Sequence, residues 1–294
     1  MKPFIILFAL LLAAGGTAAQ TTLQVVTKTV QKTLKWKPGN TLEIICEKAE
    51  VEVETAPAGE TSVTITANLS ARHPQLDSAR ADLGAWKFVT SSIGKKIFIR
   101  AYVGVPAGVS LPASNLKAKI KVIVPADCPT TLSNKFGSAK LEKITAAVTL
   151  TGEFCSFHLT QLSGKVQIDS RYGNVEGDQL SGPVEVQAKR ADVSLTGIRN
   201  NCSVQSEYGA VTLEAGMNTG NITVHASKGD VTIDAPLPYR HNFDLHASYG
   251  EVNTPLAMRL DAGANGNSQQ ASLHQGDQHP LIFVETTLGN ITVK

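Results

Sequence analysis

Between Thr130 and Val211 the apolar positions recur on a fixed period. Val148, Val166, Val184 and Cys202 follow Thr130 at steps of eighteen residues, and Leu150, Ile168, Val186 and Val204 follow Leu132 likewise. Small residues make a third column, Gly137, Cys155, Gly173, Ala191 and Gly209. Two positions on lie Ala139, Phe157, Val175, Val193 and Val211, and a further column holds Ile144, Leu162, Leu180 and Ile198. Within one unit, 166–180, apolar or small residues alternate with polar ones on either side of a phase slip between Ser170 and Gly173. Alternation predicts two short strands, each with one buried face. The slip predicts a sharp turn, whose glycine supplies small volume or positive φ. A second turn at "GDQLSG" (177–182) drops Leu180 inward.

A unit this small cannot bury its own apolar face, whereas stacked copies can, each strand bonding to its equivalent about 4.8 Å above and below. The fold class is therefore all-β, a parallel β-solenoid (β-helix-like) with coils of about eighteen residues and two strands per coil. An antiparallel sandwich, which also spaces its turns regularly, is the alternative. The register returns with slack at Gly229, Gly250 and Gly289, so the solenoid spans 128–294. It also appears early: "LEIICEKAEVEV" (42–53) aligns without a gap on "VEVQAKRADVSL" (184–195). Residues 20–127 thus hold a first coil and an N-terminal cap, with strands in 62–67, 96–102 and 118–124 and one short helix in 71–88. A cap is expected because solenoid ends expose unpaired strand edges. Residues 255–280, polar and rich in Gly, Asn and Gln, read as a mobile loop thrown out of the stack.

Composition narrows the functional classes. One Lys, an apolar run from Phe4 to Ala14 and the small residues Thr17-Ala18-Ala19 have the layout of a secretory signal peptide, residues 1–19, with an uncleaved anchor as the alternative. No later segment is apolar enough to cross a bilayer, so the mature chain is expected to be extracytoplasmic: periplasmic, secreted or at the cell surface. Net charge is +2 and no basic run exceeds two residues, which argues against nucleic acid as a partner.

The chemistry-bearing residues are sparse. Cys155 and Cys202 lie nearly three coils apart in interior columns and read as small buried hydrophobes. Cys46 and Cys128 both fall near the start of the stack, where a bridge between them stays open. The seven His make no metal-ligand spacing, no phosphate or dinucleotide loop occurs, and the carboxylates are scattered. No cofactor, metal or catalytic residue is expected. One column stands out: the position before the small residue reads Phe136, Phe154, Tyr172, Arg190, Tyr208, Lys228 and Tyr249. Rings and cations one coil apart would stack. Tyr172, Arg190, Tyr208, Lys228 and Tyr249 form the candidate binding ladder for a glycan or an envelope protein; a purely stabilising ladder is the plainer reading. Four Asn-x-Ser/Thr sequons, at Asn68, Asn201, Asn221 and Asn290, are taken to lie mostly in strands and to be accidental.

Three stretches carry a family resemblance: "KPGNTLEI…AEVEVETA", "KIKVIVPADCPTTLSNKFGSAKLEKI" and the recurrent "S-x-Y-G-x-V". In these the chain resembles the bacterial "putative adhesin" or auto-transporter-head-like families of uncharacterised β-strand-repeat proteins. It departs from them at "VPADCP", which lacks the family's Gly. The resemblance implies a β-solenoid, an extracytoplasmic location and no catalysis, and it offers no binding residues to carry over. The expected function is a non-enzymatic, adhesin-like surface or envelope interaction. A structural or signalling module acting through a partner protein is the alternative, and a polysaccharide-active enzyme ranks third.

Overall fold

A computed structural model describes residues 22–262 and 267–294; the expected signal peptide lies outside the described residues. The eighteen-residue columns are rungs of two parallel ladders. In the first, Thr130, Val148, Val166, Val184, Cys202 and Ile222 are Cα partners in turn. In the second, Ala139, Phe157, Val175, Val193, Val211 and Val231 succeed one another. All of these side chains are buried, as are Ile144, Leu162, Leu180 and Ile198 at the second turn, so the repeat is the core. The early stretch 42–53 is a coil of the same stack: Thr41–Glu47 and Ala49–Thr55 pair in parallel with the two halves of Thr130–Glu142.

All four cysteines are free and buried, and no bridge joins Cys46 to Cys128. Burial pushes the thiols up to about 11 at Cys128 and Cys155 and to about 12 at Cys46 and Cys202. They pack as small hydrophobes and are poor nucleophiles.

Both ends of the stack depart from chain order. At the N-terminal end, Lys96–Val103 and Asn115–Val124 form a coil beneath residues 41–55, so that the first coil lies between them and Thr130–Glu142. Antiparallel strands then close the edges: Trp86–Ile93 on Lys96–Val103, and Ser62–His73 followed by Gln24–Lys35 on Asn115–Val124. The predicted helix is Leu76–Leu83, packed against Gln24–Lys35 and Ser62–His73. At the C-terminal end, Leu281–Thr287 and Ile291–Val293 enter between the coil at 222–234 and the coil at 242–253. The linker 255–280 is not wholly a loop outside the stack. Ser268–Leu273 adds antiparallel to Asn242–Ser248, and Arg259–Ala262 adds to Ser268–Leu273, covering that sheet edge. The reason is edge geometry: a capping strand buries only Ala271, so its polar composition hides it.

The first corner is built differently from the sequence expectation. Positive φ falls on the residue before the small one: Lys48, Phe136, Phe154, Tyr172, Arg190, Tyr208, Lys228, Tyr249 and Leu288 all have φ between 51° and 61°. The glycines serve close approach instead. A Cβ on Gly173 would lie 2.2 Å from the carbonyl oxygen of Cys155, and one on Gly209 would lie 2.1 Å from that of Ala191. Gly137, Gly173 and Gly209 do line up along one side, each seated on the coil below.

The segment that skips a coil, 235–241, is held by buried polar groups. His241 is 3% exposed, with Nδ1 3.4 Å from the Leu237 carbonyl. Desolvation holds its pKa below the usual imidazole value against the opposing pull of that carbonyl, and the nearby Arg240 cation adds to the lowering.

Gly209→Ala should lower stability in urea by roughly 1–3 kcal/mol through overpacking, whereas Ala191→Gly should cost about 0.5–1 kcal/mol; equal stability of Gly209→Ala and wild type would refute the close approach. His241 takes its proton more readily unfolded, near pH ~6.5. Its contribution is therefore complete above that value and is lost as pH falls through it toward the lower folded pKa. Urea midpoints on either side of pH ~6.5 should fall less in His241→Asn than in wild type.

Candidate binding surface

Each residue of the corner ladder is presented by the same local geometry, a left-handed residue whose N–H still bonds to the next coil: Tyr172 to Lys189 (3.0 Å), Arg190 to Glu207 (2.7 Å) and Tyr208 to Ser227 (2.9 Å). The side chains consequently project from one edge in register. Phe136 and Phe154 stack with centroids 5.2 Å apart and planes 4° apart; Phe154 and Tyr172 follow at 4.7 Å and 10°. The Arg190 guanidinium lies 5.5 Å from the Tyr172 ring and 5.6 Å from that of Tyr208. Lys228 Nζ lies 4.4 Å from the Tyr208 centroid and donates to its hydroxyl at 2.5 Å. The run from Phe136 to Lys228 is thus one continuous stack. Tyr249 stands apart, because the inserted coil places Leu288 between it and Lys228.

This stack has a chemical consequence. Rings about 5 Å apart in nearly parallel planes cover one another's π faces. The ladder therefore offers solvent ring edges, and faces are not free for a sugar within the run. Tyr249, at 65% exposure, is the ladder's most open ring.

Beside the ladder the outer face of the first sheet carries a second arrangement that periodicity alone did not single out. Asp169, Gln187, Gln205, His225, Glu285 and His246 are successive partners across six coils. A groove of about 370 Å³ runs over the first four and is rimmed by Arg171, Lys189 and Glu207, the residues just before Tyr172, Arg190 and Tyr208. The side-chain amides of Gln187 and Gln205 make no hydrogen bond to the described residues, so donors and acceptors face the groove unengaged. Lys189, 2.8 Å from Glu207, holds that carboxyl below the usual carboxylate range, and Lys165 does the same for Glu185. The signal was present in the sequence as the outward positions of the eighteen-residue register, but polar columns look like ordinary solvated strand faces.

Three of the four sequons are not in strands. Asn201, Asn221 and Asn290 sit at turns, where each Oδ1 accepts the backbone N–H of the next coil, from Asn221, Leu281 and Glu251 respectively, all at 2.9 Å. Asn201 and Asn221 are rungs of one ladder at the corner before the first strand, and Asn290 is a rung of another, above Asp230, at the corner before the second. Only Asn68 lies within a strand. Among the described residues no group of three or more His, Cys, Asp or Glu is placed to hold a metal ion, and no helix is long and apolar enough to cross a membrane.

Among solved structures, a "putative adhesin" from Bacteroides fragilis is 14% identical, with a TM-score of 0.46 over 91% of this chain and 97% of its own. A "putative lipid binding protein" from Parabacteroides distasonis is also 14% identical, with a TM-score of 0.36 over 90% and 96%. A "putative cell adhesion protein" from Clostridium sporogenes is 12% identical, with a TM-score of 0.25 over 91% and 99%. No curated protein matches the chain. The family model for Toastrack DUF4097 matches residues 39–294, the coils, their corners and both transposed ends from the first coil onward, and the chain belongs to that family.

Proposed function

We propose that the protein is a non-catalytic, extracytoplasmic recognition module that binds an extended, hydroxyl-rich polymer, a glycan strand, along the groove beside the corner ladder. The observation that carries this reading is the pair of unengaged amides, Gln187 and Gln205, stacked in register between Asp169 and His225. Amides, carboxylates and an imidazole one strand spacing apart, about 4.8 Å, offer alternating donors and acceptors to a chain lying along the solenoid axis. Arg171, Lys189 and Glu207, each next in sequence to a ladder residue, rim the groove on the corner side. An adhesin-like role at the cell surface is one use of such a surface.

Catalysis is disfavoured by the same chemistry. Glycoside cleavage needs one carboxyl kept protonated and another kept ionised near the scissile bond. Glu185 and Glu207 are both pushed toward the ionised form by neighbouring lysines, and the groove is open to water. Neither is suited to act as the general acid.

The chain from Gln20 onward should retain a subset of glycans on an array, with no cleavage products. Gln187→Ala/Gln205→Ala should weaken that binding roughly tenfold, the loss of two hydrogen bonds of about 0.5–1.5 kcal/mol each, with an unchanged far-ultraviolet spectrum. Tyr172→Ala should have a smaller effect. No retained glycan, or unaltered affinity in the double variant, would sink the proposal; selective capture of an envelope protein instead would favour a partner-binding role.

A further inference from the structure

The coil at 281–293 occupies a slot that the chain leaves open earlier. Ile222–Ser227 and Asn242–Ser248 do not pair with each other; both pair with Leu281–Thr287, from opposite sides and in register. Val231–Asp234 and Val252–Asn253 flank Ile291–Val293 in the same way. The arc contributes Ile282, Val284, Thr286, Ile291 and Val293 to the core, all fully buried or within 1% of it. Asparagine and aspartate rungs complete it: Leu281 N–H donates to Asn221 Oδ1 at 2.9 Å and Asn290 N–H to Asp230 Oδ1 at 2.8 Å.

Every one of these contacts is made to the walls of the slot, and none depends on the arc's own covalent connection. The connection enters only at residues 274–280, between Leu273 and Leu281. Five hydrogen bonds through the Asn242 and Gln275 side chains tie that turn to residues 238–242, beside the backbone bond from Asn242 N–H to the Pro280 carbonyl at 2.9 Å. Asn242 Oδ1 accepts the Gln275 N–H at 2.7 Å, and its Nδ2 donates to the carbonyls of Gly276 (2.9 Å) and His279 (3.1 Å). Gln275 Nε2 donates to the carbonyls of Pro238 (2.7 Å) and His241 (2.9 Å). During synthesis the slot walls emerge before the arc does, so the slot stands open with four unpaired strand edges.

From this geometry we infer that the slot accepts residues 281–293 of a second copy of this chain, and that the Asn242–Gln275 latch sets the balance toward self-insertion. Exchange of identical arcs conserves all the wall contacts and changes only the turn, the condition under which domain swapping is of low cost. Self-insertion wins in dilute solution because the tether gives the arc a millimolar-order effective concentration. Exchange competes when chains fold together at high concentration or when the latch is lost.

The test reads which chain fills the slot. His225 and Glu285 are Cα partners on the outer face of neighbouring strands, about 4.8 Å apart, within disulfide reach. In His225→Cys/Glu285→Cys the introduced thiols are exposed while the four native thiols are buried. The full chain is refolded from denaturant at low and at high protein concentration, oxidised, and run on a non-reducing gel. The expected result is an intrachain bond at low concentration and a several-fold rise in covalently linked dimers at high concentration. Adding Asn242→Ala/Gln275→Ala should raise the linked fraction several-fold again. Bonds that stay intrachain at both concentrations, with the latch intact and with it removed, would overturn the proposal. If the latch variant does not fold, the concentration series with the intact latch decides alone.

Discussion

The structure depends on one constraint: successive coils must present the same backbone to one another at every rung. Parallel pairing with like above like permits no drift, so each coil must turn at the same two places. At the first corner that demand puts bulky residues such as Phe154, Tyr172 and Arg190 into the left-handed region, which costs a non-glycine residue on the order of 1–2 kcal/mol. The ladder offsets the cost. The N–H of the left-handed residue keeps its bond to the next coil, and its side chain lands on its counterpart there, ring on ring or cation on ring. The next residue must then be small, because the carbonyl below stands within van der Waals distance of where its Cβ would be. Aromatic-or-cation followed by Gly, Ala or Cys is thus one device in two parts.

That device explains which features were legible in the sequence. The columns, the strand pair per coil and the two turns could be read because every coil repeats them at one spacing. The aromatic column could be read for the same reason, although the positive φ assigned to glycine belongs to its neighbour. Coil order could not be read. A linker as long as 56–95 or 254–280 can carry the chain past one coil as easily as onto it, and periodicity says nothing about which coil then lies adjacent. Tyr249 shows the consequence: by spacing it follows Lys228, yet Leu288 of the inserted coil separates them. The capping strand Ser268–Leu273 was hidden by composition, since a strand at the edge has one polar face and little to bury.

The two transposed ends share a physical logic. A parallel stack that stopped abruptly would leave open edges on both ladders, a template for further strands. Here the chain reverses direction at both ends, with Trp86–Ile93 and Ser62–His73 at one and Ser268–Leu273 at the other. Antiparallel strands do not reproduce the corner, so they break the register that would let another coil add. Placing the last parallel coil inside the stack, under an already capped neighbour, removes a second exposed surface.

The stacked corner also decides where recognition can reside. A column of rings is the first place to seek a glycan site, but stacking is satisfied within the column, and the faces a pyranose would cover are already covered. What the solenoid leaves unsatisfied lies one strand position away, in the outward column where Gln187 and Gln205 have no partner among the described residues. The same register that consumes the aromatic faces sets the backbone positions beneath those amides one strand spacing apart. Binding there would order side chains only, since the backbone beneath each amide is already bonded on both sides. The repeat that builds the core is therefore also what spaces the surface groups, and a ligand with its own repeat along the axis is the kind of molecule that such spacing fits.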